Sequence, residues 1–153
     1  MVINKTYNQK GLHFLSNMFI CDIIYKNKKF KSSEHLYQYL KVDETAIWWL
    51  ETIRNAEFPA IAKKLTKNKK CPLKQDYKKV SLENMWLCLY LKFNQNPELK
   101  LYLTKVPDED LTEYNYWNDR FWGISIQTEK GKDMLGYLYR NLKKIFIKEL
   151  ENE

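Results

Sequence analysis

Four glycines and four prolines in 153 residues are too few for a repeat array or a loop-dominated chain, and they argue against disorder. Cys21, Cys71 and Cys88 form an odd set with no metal-ligand spacing, and only His13 and His35 stand by to help them. The sequence therefore predicts neither a zinc site nor a disulfide framework. No apolar run approaches the roughly 20 residues that span a bilayer, and the N-terminal stretch lacks a signal-like apolar core. A reducing cytoplasm, with no membrane partner, is the expected location. A 44% hydrophobic fraction is enough to bury a core in one domain of this length.

Aromatics, by contrast, are abundant: 11 Tyr, 7 Phe and 5 Trp exceed what a core this size needs as filler, so some are expected to line a pocket. Lysine and arginine outnumber acids 26 to 19, a net charge of +7. This excess favours anionic partners such as phosphate esters, nucleotides or nucleic acid. A lysine-rich solvated surface explains it equally well.

Ser32 to Lys41 is the stretch around which the rest is organised. Ser32 and Ser33 offer a cap for orphan backbone N–H groups, and Glu34 suits the positive end of a helix dipole. In a helix Glu34, Gln38 and Lys41 stand one above another, while Leu36, Tyr39 and Leu40 point elsewhere. Such a face is either a chemical one or an ordinary solvated one.

Along the chain, Met1–Lys10 reads as a polar lead-in and residues 11–150 as a single domain. Ile20–Tyr25 and Lys29–Lys31 form a hairpin turning at Asn27-Lys28. Asp43 and Glu44 open a helix through Asn55 that buries Ile47, Leu50 and Ile53, and Pro59 starts a short one ending near Thr66. Lys67–Lys70 is a basic loop. Asp76 or Ser81 begins the longest, central helix, on the stripe Leu82, Met85, Trp86, Leu89 and Phe93, with Lys92 at its edge. Asn96 and Pro97 start another helix to Lys105, and Leu111–Tyr114 and Ile124–Gln127 are short strands. Between those strands, Asn115–Gly123 holds four aromatics, an acid and a base, a pocket composition. A last helix after Gly131 and Asp133 packs through Leu135, Leu138, Leu142, Ile145 and Phe146. The fold class is α+β: predominantly helical, with a few short antiparallel strands.

These landmarks, taken in order, resemble the NADAR (YbiA-like) family. They are Phe14-Leu15-Ser16-Asn17; Ser33-Glu34-His35 with Tyr37-Gln38 and Lys41; Lys92-Phe93 with Gln95-Asn96-Pro97; Leu111, Glu113, Asp119 and Trp122-Gly123; and Gly131, Leu135-Gly136 and Arg140. The chain departs from the pattern at Met18, where an aromatic is usual, at Asp133, where asparagine is usual, and at Tyr139, where Met is preferred nearby. The resemblance implies a YbiA-like fold and a metal-free, cofactor-free N-glycosidase on ribosides. The implied substrates are ADP-ribose attached to guanine in DNA or RNA, ribosylamine phosphates of riboflavin synthesis, or, for a non-catalytic module, ADP-ribose or a nucleotide as ligand. It implies substrate contacts from Asn17, Ser33, Gln38, Lys41, Phe93, Glu113, Trp122, Gly123 and Arg140, and catalytic roles for Glu34, Lys92 and Asp119.

Breaking a C1′–N bond develops positive charge on ribose and negative charge on the leaving nitrogen, so an anion near the sugar and a proton donor near the base are required. Glu34 suits the sugar side, as stabiliser or as base for water. Lys92 either donates a proton or holds a phosphate as a cation. Alternatively, desolvated by Phe93 and Trp122, it attacks C1′ as a neutral amine, or it simply snorkels at a helix end. Asp119 is either a general acid raised by ring burial or a turn cap paired with Arg120. Glu113 is expected to support the site at one remove, Trp122 either stacks on a base or packs in the core, and Asn17 suits ribose hydroxyls. His35 faces away from Glu34 as a structural histidine. The expectation is that Glu34, Lys92 and Trp122 line one sugar-sized hollow.

Overall fold

The computed structural model describes residues 11–153, so the lead-in expected over Met1–Lys10 lies outside the described residues. The chain forms two compact units, one made by Asn17–Asn96 and the other by the stretch ending at Ser16 together with Pro97–Glu153.

The first unit opens with an antiparallel hairpin, β1 (Ile23–Tyr25) and β2 (Lys28–Phe30), in which Ile23 pairs with Phe30 and Tyr25 with Lys28. The two-residue turn is Lys26-Asn27, one position earlier than expected, with both φ angles positive (48° and 62°). That geometry matches the right-handed twist of the flanking strands. Gln95 clasps the outer edge of β1: it accepts from Ile24 N–H (2.7 Å) and donates to Ile24 C=O (2.8 Å).

Helix α1 (Ser33–Lys41) is capped by Ser32, whose Oγ accepts from His35 N–H at 3.1 Å. Helix α2 (Ile47–Arg54) starts later than the acidic pair suggests, because Asp43 Oδ1 is bound by the Thr45 N–H (2.8 Å) and hydroxyl (2.6 Å) in a local turn. Leu50 and Ile53 are buried as expected, but Ile47, at the frayed start, is 63% exposed. Helix α3 (Pro59–Thr66) has Pro59 in its first turn. Helix α4 (Ser81–Asn94) buries Met85, Leu89 and Phe93, with Leu82 and Trp86 half-buried. Val42, Leu50, Ile53, Ala56, Ala62 and Cys71 form a core cluster between α1, α2 and α3.

In the second unit, α5 (Pro97–Lys105) packs on α6 (Met134–Glu151), which at 18 residues outlasts the 14-residue α4 expected to be longest. Leu135, Leu138, Leu142 and Phe146 of α6 are buried as expected, whereas Ile145 is partly exposed. Tyr139 donates its hydroxyl proton to the Leu15 carbonyl, so its phenol has a structural use where the family prefers Met nearby. Asp108–Leu111 form a 3-10 turn that takes in the first residue of the strand expected over Leu111–Tyr114, and the strands are the shorter β3 (Tyr114–Asn115) and β4 (Ile124–Ser125). This pair is parallel, not antiparallel, with Tyr114 opposite Ile124. Two-residue strands can pair this way without the long crossover that parallel strands ordinarily need. No helix among the described residues is long and apolar enough to cross a membrane.

Candidate active site

In the first unit, Ser33, Glu34 and Gln38 are buried on α1, which packs on α4, where buried Met85, Cys88 and Lys92 share one face at i, i+3 and i+7. Asn17 joins the two helices. Its carbonyl accepts from Glu34 N–H (3.1 Å), its Oδ1 accepts from Ser33 Oγ (2.8 Å), and its Nδ2 lies 3.4 Å from Met85 Sδ. Asn17 and Ser33 thus fix the first turn of α1 and with it the position of Glu34.

Glu34 is only 6% exposed. Gln38 Nε2 donates to its Oε1 at 2.6 Å, and Thr66 Oγ1 donates to Gln38 Oε1, also at 2.6 Å. This relay sets the Gln38 amide one way round, with its NH2 toward Glu34 and its oxygen toward α3. The Glu34 charge reaches two neighbours. Burial pushes the Cys88 thiol well above its ordinary range, and Glu34 pushes it further in the same direction. Burial holds Lys41 below the usual lysine value, opposed by Glu34 and reinforced by Lys63 and Lys67. The Lys41 ammonium sits 4.7 Å from the Tyr37 ring centroid.

Lys92 is not at the edge of a stripe but wholly buried. It follows Cys88 by one turn, and its ammonium lies 5.5 Å from the Phe19 ring centroid and 5.3 Å from that of Phe93. Burial lowers its pKa to about 8, with Cys21 acting weakly in the opposite direction. The aromatic partners are Phe19 and Phe93, and Phe93 is itself a fully buried wall. His35 is structural, as expected: its Nε2 meets Ala56 O at 2.9 Å and its Nδ1 meets Ser32 Oγ at 2.7 Å. Burial lowers its pKa, and the network assigns a neutral ring with the proton on Nε2.

Glu113, Asp119, Trp122, Gly123 and Arg140 belong to the second unit, where Asp133 is the hub. Asp133 (φ 50°) caps α6 by accepting at Oδ1 from Gly136 N–H (3.2 Å); the same oxygen accepts from Glu113 N–H (3.0 Å), and Oδ2 accepts from Arg140 Nη2 (3.1 Å). Arg140 is therefore committed to the helix cap. The carbonyls of Phe121 and Trp122 take the first N–H groups of α6, from Met134 (3.0 Å) and Leu135 (3.1 Å). Asp119 behaves as a turn cap, its Oδ1 accepting from Phe121 N–H (3.0 Å) and Trp122 N–H (2.9 Å). Gly123 is explained by backbone approach, since a Cβ there would stand 2.5 Å from Glu113 O. Trp122 is half-buried, with its ring edge-on to Phe121.

An Asp133→Ala substitution is expected to cost about 2 kcal/mol, since it removes a cap and leaves the Glu113 N–H without its acceptor. Asp133→Asn, the residue usual in the resembled family, should cost well under half of that. Chemical denaturation of the two variants checks the order, and equal losses would contradict the capping role.

The sequence does not single out Thr66, Cys88 or Phe19, and it marks Asp133 only as a cap. A hydroxyl 28 residues along the chain from Gln38 carries no local signal. The i, i+4 spacing of Cys88 and Lys92 does. Among the described residues no group of three or more His, Cys, Asp or Glu side chains is placed to hold a metal ion.

Known proteins similar to this chain share one name. N-glycosidase YbiA from Shigella sonnei (strain Ss046) is 33% identical over 129 residues, covering 84% of this chain and 78% of that protein. N-glycosidase YbiA from Escherichia coli (strain K12) is 32% identical over 129 residues, with the same coverage of 84% and 78%. The NMR structure of E. coli YbiA superimposes with a TM-score of 0.74 at 30% identity, covering 92% of this chain and 82% of that one. The NADAR domain family matches residues 5–146, and the chain belongs to that family.

Proposed function

We propose that the protein is an N-glycosidase that hydrolyses a ribose C1′–N bond, and that its substrate is ADP-ribose joined to guanine in nucleic acid. The general activity is supported by membership in a family whose relatives here are named N-glycosidase. The observation that carries the chemistry is Glu34: a buried carboxylate fixed on one oxygen by Gln38, on a helix that packs against the one bearing buried Lys92.

In this reading Glu34 faces the sugar. As the C1′–N bond lengthens, its charge stabilises the oxocarbenium-like carbon, and it accepts a proton from the attacking water. The leaving nitrogen needs a proton, and Lys92 supplies it. With a pKa of about 8, roughly nine in ten of its side chains are protonated at pH 7, yet the proton is far cheaper to release than that of a solvated lysine. The proton taken by Glu34 returns to solvent and Lys92 is reprotonated, which closes the cycle. Asp119 is the weaker candidate for the donor, because its Oδ1 already serves two backbone N–H groups.

The sign of the pH dependence separates the roles of Lys92. A proton donor must be charged, so kcat should hold below about pH 8 and fall above it. A neutral-amine nucleophile would give the reverse, with a rate that climbs to a plateau above that value and an adduct trapped by borohydride. No adduct is expected.

The substrate is tested by offering guanine-ADP-ribosylated DNA and a ribosylamine phosphate side by side and measuring free ADP-ribose and ribose phosphate. Release from the first alone is the expected result. Release from the second alone assigns the enzyme to small ribosylamines, and release from neither identifies a binding module.

A further inference from the structure

Beside the Glu34 relay, within the first unit, lies a cavity of about 470 Å³ lined by Lys41, Thr66, Lys67, Asn68, Lys69 and Tyr77, among others. Three of its lining side chains are ammonium-bearing, and no carboxylate lines it. Thr66 forms one wall and also donates to Gln38, so the cavity is two hydrogen bonds and one amide away from the Glu34 carboxylate. Asn68 directs its Oδ1 to Lys70 N–H (2.9 Å), which leaves its NH2 as a further donor. The wall is therefore rich in donors and cations; no carboxylate lines it, and the negative charge that reaches it is that of Glu34, acting on Lys41.

We propose that this cavity receives a phosphate carried by the substrate. The inference rests on the glycosidase reading and extends it by locating the grip: the phosphate is held by Lys41, Lys67 and Lys69 while C1′ is presented to Glu34. A phosphate dianion answers the unmet need of the lining, since it accepts several N–H bonds at once and offsets the mutual repulsion of the lysines. That repulsion already registers at Lys41, where Lys63 and Lys67 both work against the charge. The Thr66–Gln38–Glu34 chain gives the bound anion a rigid connection to the reacting end.

The test is binding, read by amide NMR shifts of the full chain during titration with ribose 5-phosphate, with ADP-ribose, with plain ribose and with a short single-stranded DNA. Ribose 5-phosphate and ADP-ribose should shift residues 66–70. A Lys67→Ala/Lys69→Ala double variant should weaken both by roughly tenfold or more and leave plain ribose unchanged. The corresponding arginine variant, which keeps the charge, should retain most of the affinity. Both lysines are exposed, so the fold should survive, and an unchanged spectrum away from the cavity confirms it. Equal affinity in wild type and double variant overturns the proposal, and lysine-dependent shifts with DNA alone overturn the assignment to a substrate phosphate. Intact lysine-dependent binding without turnover of any riboside removes the glycosidase reading instead. Turnover with a KM indifferent to both lysines removes the cavity and leaves the glycosidase.

Discussion

Glu34→Gln should lower kcat by about three orders of magnitude or more while substrate still binds, the scale seen when a group that stabilises transition-state charge is lost. The glutamine keeps the volume of the side chain, and its amide oxygen can still accept from Gln38 Nε2, so the turn built by Asn17, Ser33 and Glu34 should persist. What is lost is the negative charge opposite C1′ and the acceptor for the water proton. Single-turnover rates with a matched binding titration measure both. A kcat within tenfold of wild type would remove Glu34 from the reaction, and a parallel loss of binding would reassign it to holding the ground state.

Lys92→Met is expected to do two opposite things, abolishing turnover and raising stability at neutral pH by about 2–3 kcal/mol. The second effect follows from linkage. A lysine of pKa about 8 in the folded chain and about 10.4 unfolded is charged in both states below pH 8, and burial of the ammonium there opposes folding. Between those values the folded state has released the proton while the unfolded chain still holds it. The contribution of Lys92 to stability therefore rises with pH across that window. Methionine has a similar length and no charge to bury, so it should remove both the cost and this component of the pH dependence. Denaturation of both proteins at pH 7 and pH 10 tests it, and a methionine variant less stable at pH 7 would refute the argument. A gain in stability with a loss of turnover is the pattern expected of a residue kept for chemistry.

How much of this was legible in the sequence depends on the range of the interactions involved. The Ser32 cap, Pro59 at a first turn and the Asp133 cap are local chemistry, and each starts a helix where the sequence predicts one. Asp43 shows the limit: the acidic pair suggests a helix start, but the side chain prefers the Thr45 backbone and postpones the helix to Ile47. The parallel register of β3 and β4 was not legible, because two-residue strands have too little pattern to set a direction. Within the candidate site, the spacing of Glu34, Gln38 and Lys41 on α1 groups side chains that interact in the structure, Gln38 by a hydrogen bond to Glu34 and Lys41 through the Glu34 charge. The depth of Lys92 does not follow from spacing, since it depends on Phe19, 73 positions earlier in the chain. Glu34 and Lys92 stand on neighbouring, packed helices of one unit, whereas Trp122 belongs to the other.

The amide of Gln95 has one further effect. A two-stranded ribbon ordinarily presents a row of unmet donors and acceptors to any passing extended peptide, the usual starting point of strand-by-strand polymerisation. Here a single side chain occupies the Ile24 donor and acceptor together, acting as a stub of third strand that cannot be extended. The one hairpin among the described residues is thereby closed to self-templating at its Ile24 edge.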